Sequence, residues 1–140
     1  MAKTHSTTVH HILDKRFVGI TSNGHRVMID AEPEHPTGMR PMQLLLNALG
    51  ACSAFDIVEM LRKRRLIVQG YRVELEGERS ESLPSCYTTI HAKHFIDAPG
   101  LDQRNADRFV ELAMTKYCSV AASLTAEISF EVVLEHEQEV

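Results

Sequence analysis

Three cysteines, Cys52, Cys86 and Cys118, are the side chains in this 140-residue chain best suited to chemistry. A thiolate is a nucleophile and a metal ligand, and two thiols that meet can exchange electrons as a disulfide. Cys52 and Cys118 have similar settings: each follows a helical segment, has small neighbours and precedes a serine (Ala51-Cys52-Ser53 and Tyr117-Cys118-Ser119). They lie 66 residues apart, so there is no Cys-X-X-Cys motif, and only the fold decides whether they meet. From its own stretch Cys52 has two readings, a small buried hydrophobe or a protected nucleophile. Cys86 lies beside a turn with no acid or base at fixed spacing and reads as structural. Asp56 falls one helical turn after Cys52 and Glu59 a further turn on; an anion so placed, with no cation between, opposes thiolate formation.

Other chemistries lack their motifs. The eight histidines, at 5, 10, 11, 25, 35, 91, 94 and 136, form no HExxH pattern. His91 and His94 fall on opposite faces of a strand, as do His10 and His11, so neither pair suits one metal site. No GxGxxG, Walker A or GxSxG sequence occurs. The expectation is a protein without metal or cofactor. The basic run Arg62 to Arg65 reads as a helix C-terminus complementing its dipole rather than a nucleic-acid patch.

The element that must position Cys52 is Pro41 to Arg65. Proline suits a first helical turn and the basic cluster suits a last one. Apolar residues occur at nearly every angle of this helix, which predicts burial all round, with Cys52 at a crowded contact among Gly50, Ala51, Ser53 and Ala54. Ahead of it, strands are predicted over Thr7 to Leu13, Phe17 to Thr21 and Arg26 to Asp30. Ser22-Asn23-Gly24 marks a hairpin turn, and AEPEHPTGMR an irregular loop. After it, Ile67 to Gly77 and Cys86 to Ile96 alternate with period two and predict a long hairpin. A helix from Asp102, its N-cap, to Met114 follows, then a short apolar turn to Leu124 and a closing strand Glu127 to Leu134. The acidic tail 135–140 is expected to fray. The order β-β-β-α-β-β-α-β predicts an α+β fold of antiparallel sheets in one domain, 1–140. One sheet covers only one side of the long helix, which is a physical reason to expect a homodimer.

Composition sets outer bounds. Net charge is −4 and 44% of residues are hydrophobic, as in an ordinary globular domain without affinity for nucleic acid. No run of about 18 apolar residues is free of charge, so no membrane span is expected. The polar start and the odd, small number of cysteines predict a cytoplasmic protein.

Two segments carry a resemblance. P-M-Q-L-L-L-N-A-L-G-A-C-S-A-F-D-I-V resembles the first cysteine helix of the OsmC/Ohr family of osmotically induced and organic-hydroperoxide-resistance proteins. K-Y-C-S-V-A-A-S-L resembles that family's second cysteine motif, and the surrounding elements match in order over essentially the whole chain. The L-L-L-x-A-L-G-x-C form looks closer to the poorly characterised OsmC-like branch.

The resemblance implies an intertwined homodimer, with strands of both chains wrapping two central helices and active sites at the subunit interface. It implies thiol-dependent reduction of a small hydroperoxide, Cys52 being peroxidatic and Cys118 resolving, with a dithiol as reductant. It also implies an activating arginine: Arg16, Arg26 and Arg40 precede the helix, and Arg16 is the candidate. Peroxidases of the family carry a Glu just after the proline of the first motif, where this chain has Met42 and Gln43. The alternative implied is a non-enzymatic dimer that binds a small apolar or thiol-containing ligand and keeps the cysteines as inherited core residues.

Overall fold

A computed structural model describes residues 3–136. The chain forms two compact units, Met1–Leu45 and Leu46–Val140. The first is an antiparallel meander of β1 (Thr7–Leu13), β2 (Arg16–Thr21) and β3 (Arg26–Asp30), in that spatial order. The Asn-Gly signal falls where expected. Gly24 N–H donates to Thr21 O and Thr21 N–H to His25 O, both at 2.9 Å. Gly24 takes φ +89°, which a residue without Cβ adopts at little cost. All of β1 is exposed, including Val9, Ile12 and Leu13 at 51–56%. What this unit buries is a carboxylate, Asp30, which gathers the loop after β3. It accepts from the backbone N–H of Thr37 (2.7 Å) and Glu32 (2.8 Å) and from the Thr37 hydroxyl (2.9 Å).

Helix α1 (Pro41–Lys63) starts and stops as its sequence dictates. Pro41 takes the first helical position, and Gln43 Oε1 reaches back to accept from Arg40 N–H at 3.0 Å. At the other end Leu66 N–H donates to Leu61 O (3.0 Å) and Arg65 N–H to Arg62 O (2.9 Å), with Arg65 at φ +59°. That is a Schellman motif, built on arginine instead of glycine. Burial differs from the all-round expectation. Leu49, Ser53, Ile57 and Leu61 form one buried stripe at four-residue spacing, while Phe55 stays 74% exposed. A single sheet can cover only one side of a helix. Gly50 marks the closest approach: a Cβ there would come 2.8 Å from Leu75 Cδ1. By length and apolar composition α1 could also cross a bilayer. Here its stripe is instead part of a protein core, and Asp56 and Glu59 interrupt the apolar sequence.

The second unit's sheet has the order β4 (Gly70–Arg79), β5 (Tyr87–Asp97), β6 (Glu127–Leu134). β4 and β5 form the expected hairpin, in register from Gly70↔Asp97 to Glu78↔Thr89. β6 corrects the wholly antiparallel expectation: it lies parallel to β5, Thr89↔Glu127 through Ile96↔Leu134. The reason is the connection. A chain that leaves β5 through a helical crossover can return parallel, which a tight turn cannot allow. Ile90, Ala92, His94 and Ile96 form the buried face of β5. His94, the one polar member, is within 2.7 Å of the Tyr71 hydroxyl through Nδ1. Burial pulls the His94 imidazole down to about 4.

The crossover opens with α2 (Gln103–Leu112), capped by Asp102, whose carboxylate accepts from Asn105 N–H at 2.8 Å. The α-helix stops two residues short of the predicted Met114. A π-helical turn, Ala113–Tyr117, and a short helix α3 (Ser119–Ser123) take its place. Of the tail expected to fray, Glu135 and His136 are held. Arg72 pairs with Glu135 at 2.8 Å, and His136 accepts from Ala98 N–H and bonds Leu101 O. Its remainder, 137–140, lies outside the described residues.

Candidate thiol site

Cys52 sits in the fourth turn of α1, half-buried between the covered stripe and the open side of the helix. Cys118 lies at the junction of the π turn and α3. Its N–H donates to Ala113 O at 2.8 Å, five residues back, which closes the π turn. Each residue advances a helix by about 100°, so one extra residue in the turn re-aims everything after it. The backbone then leaves helical geometry at Cys118 (φ −73°, ψ 105°), and its Sγ caps α3 by accepting from Ala121 N–H at 3.3 Å.

The two thiols meet. The Cys52 side chain lies close enough to Cys118 to act on it electrostatically, although 66 residues separate them. Burial is the main influence on Cys118, which is 4% exposed, and pushes its thiol up to about 11. The Ala121 N–H works the other way, and the neighbouring Cys52 adds to the rise. Cys118 therefore holds its proton at neutral pH and can donate an S–H to Cys52. Two such sulfurs can be oxidised together to a disulfide, and the more exposed Cys52 is the one a solute reaches first.

The other candidates divide. Arg16 donates through Nε to Asp30 Oδ2 at 3.1 Å and through Nη2 to His35 O at 3.0 Å. Burial disfavours charge on Asp30, but the hydrogen bonds from Thr37, Glu32 and Arg16 outweigh it and hold the carboxyl well below the usual carboxylate range. Arg26 lies on the exposed face of β3, and Arg40 contributes its N–H to the α1 cap. Glu59 turns to Arg62, with contacts of 3.1 and 3.2 Å. Asp56 Oδ2 is buried without a hydrogen-bond partner among the described residues. Cys86, read as structural, precedes β5 and is exposed. Sequence reasoning missed the π turn, and its only local trace is Thr115, whose hydroxyl donates to Glu111 O at 2.6 Å.

A model of the OsmC-like protein family matches residues 32–133. The chain belongs to the OsmC-like family. It is 35% identical over 121 residues to Protein YhfA of Escherichia coli K12, covering 84% of this chain and 90% of YhfA. The crystal structure of a hypothetical protein from Aquifex aeolicus superposes with a TM-score of 0.79 at 29% identity, over 96% of this chain and 100% of that one. The organic hydroperoxide resistance protein OhrB of Bacillus subtilis shares the fold, with a TM-score of 0.63 at 16% identity over 95% and 98% of the two chains. This OsmC-like chain thus has the family's architecture, with Gln43 capping the start of α1.

Proposed function

We propose that this OsmC-like protein is a thiol-dependent reductase of organic hydroperoxides, acting in the cytoplasm as a homodimer. The observation that carries the reading is that Cys52 and Cys118, far apart in the chain, are close neighbours in the fold. Cys52, as thiolate, attacks the peroxide and becomes a sulfenic acid while an alcohol leaves. The Cys118 thiol condenses with that sulfenic acid, forming the disulfide and releasing water. An external dithiol then returns both thiols. The small apolar residues around Cys52 favour an organic peroxide over hydrogen peroxide alone. Arg16, the arginine that the resemblance casts as activating, is held within its own unit by Asp30 and His35 O. The exposed Phe55 and the uncovered β1 support a second copy of the chain as their cover.

The test is a thiol count by mass spectrometry after sub-stoichiometric cumene hydroperoxide, then dithiothreitol. The expected result is rapid loss of two thiols per chain and a linked Cys52–Cys118 peptide that dithiothreitol opens. Oxidation of Cys52 no faster than exposed Cys86 overturns the reading.

A second reading, small-ligand binding without catalysis, is favoured by a cleft of about 380 Å³ between α1 and β4, lined by Ala51, Ala54, Phe55, Val58, Tyr71 and Leu75. Under that reading apolar ligands bind and peroxide leaves Cys52 untouched.

A further inference from the structure

Asp56 follows Cys52 by four residues on α1. At that spacing two side chains share a helix face, with Cβ atoms about 5–6 Å apart. Two other acids of comparable interest are satisfied: Asp30 accepts four hydrogen bonds and Glu59 pairs with Arg62. Asp56 Oδ2 is buried with no partner among the described residues. Leaving such an acceptor unmet costs stability, so its presence in a folded protein calls for an explanation. Beside a thiol pair, the explanation is a substrate that brings its own donor. A hydroperoxide has one strong donor, its O–H, and that hydrogen sits on the oxygen a thiolate attacks. The chain also lacks an anion after Pro41, where Gln43 is neutral, so Asp56 is the carboxylate nearest along the helix to Cys52.

We propose that Asp56 is a catalytic residue that accepts the hydroperoxide proton and delivers it to the leaving oxygen. The inference rests on the reductase reading and names the group that handles the proton. In the step, a bond forms between Cys52 Sγ and the terminal peroxide oxygen as the O–O bond breaks. Asp56 carries the proton from that oxygen to the departing alkoxide, which leaves as alcohol. Cys52 remains as sulfenate and takes one proton from solvent to become the sulfenic acid. The sulfur loses two electrons and the peroxide gains them. The O–H donor also lies between two negative centres, which reduces the repulsion that a carboxylate otherwise imposes on a neighbouring thiolate.

The test compares two reactions at Cys52 in the full-length protein and in Asp56→Asn, which keeps the shape but cannot carry the proton. Oxidation by cumene hydroperoxide needs the proton transfer, whereas alkylation by iodoacetamide needs only the thiolate. The expected result is a peroxide rate constant about 100-fold or more lower in Asp56→Asn, with alkylation within about threefold of wild type. In Asp56→Ala, added formate should restore part of the peroxide rate, which a purely structural residue would not allow. If both reactions change by the same factor, or neither changes, the proton role is overturned while the reductase reading stands. If wild-type Cys52 fails to outpace Cys86 toward peroxide, the reductase reading falls and takes this inference with it.

Discussion

The two sheets of this protein use opposite means of holding together. β4–β6 buries an apolar face, with Ile90, Ala92 and Ile96 inside and one histidine satisfied on one side by Tyr71. β1–β3 leaves Val9, Ile12 and Leu13 in water and orders its loop around a buried carboxylate, Asp30. Burial of apolar surface is non-directional and tolerates approximate shape, whereas a buried charge requires every donor in place. The contrast teaches where precision resides: the second unit supplies bulk stability, and the first fixes the geometry of Arg16.

Mutation can break this comparison. Ile57→Ala removes a side chain with no solvent exposure and should cost about 2–5 kcal/mol, read as a lower Tm or denaturant midpoint. A cost near zero would mean that the stripe is not the core. The next effect is pH-dependent. His94 is held neutral by burial, down to about 4, so between about 6.5 and 4 the unfolded chain binds a proton that the folded chain does not. Stability must then fall as pH falls through that window, by of order 3 kcal/mol in total, and His94→Leu should flatten the slope. Asp30 behaves in the same sense, at lower pH. Its lowered titration means its contribution persists at neutral pH and is lost only below the ordinary carboxylate range. Asp30→Asn should therefore raise amide exchange in residues 31–38 at neutral pH, while the amides of β5 keep their protection. Tyr71→Phe strips the partner from His94 Nδ1 and should cost about 1–3 kcal/mol, visible in the same melts. The smallest effect sharpens the contrast. Ile12→Ser lies on the exposed β1 and should shift monomer stability by less than about 0.5 kcal/mol. If a second chain covers β1, the shift grows and depends on protein concentration.

Much of this was legible in the residues. β1, β3 and β6 have the bounds that alternation predicts, and Asn23-Gly24 marks its turn because few residues accept that backbone. The ends of α1 were legible because capping is local chemistry. The parallel pairing of β6 was not, because period-two alternation looks the same for either direction. The exposure of Phe55 was not legible either, since an apolar residue in a sequence does not say which neighbour covers it.

The sequence by itself determined the strands, the two longer helices, the α+β order and the family, since these follow from local periodicity, turn chemistry and two cysteine motifs. It also placed Asp56 on the face of Cys52, because helical spacing is fixed. Only the tertiary structure decided that Cys118 reaches Cys52, that Arg16 is held by Asp30, and that Asp56 Oδ2 is buried with no partner among the described residues. Contacts across 66 residues depend on a crossover whose exit angle is set by one extra residue in a π turn, and no local pattern encodes that angle.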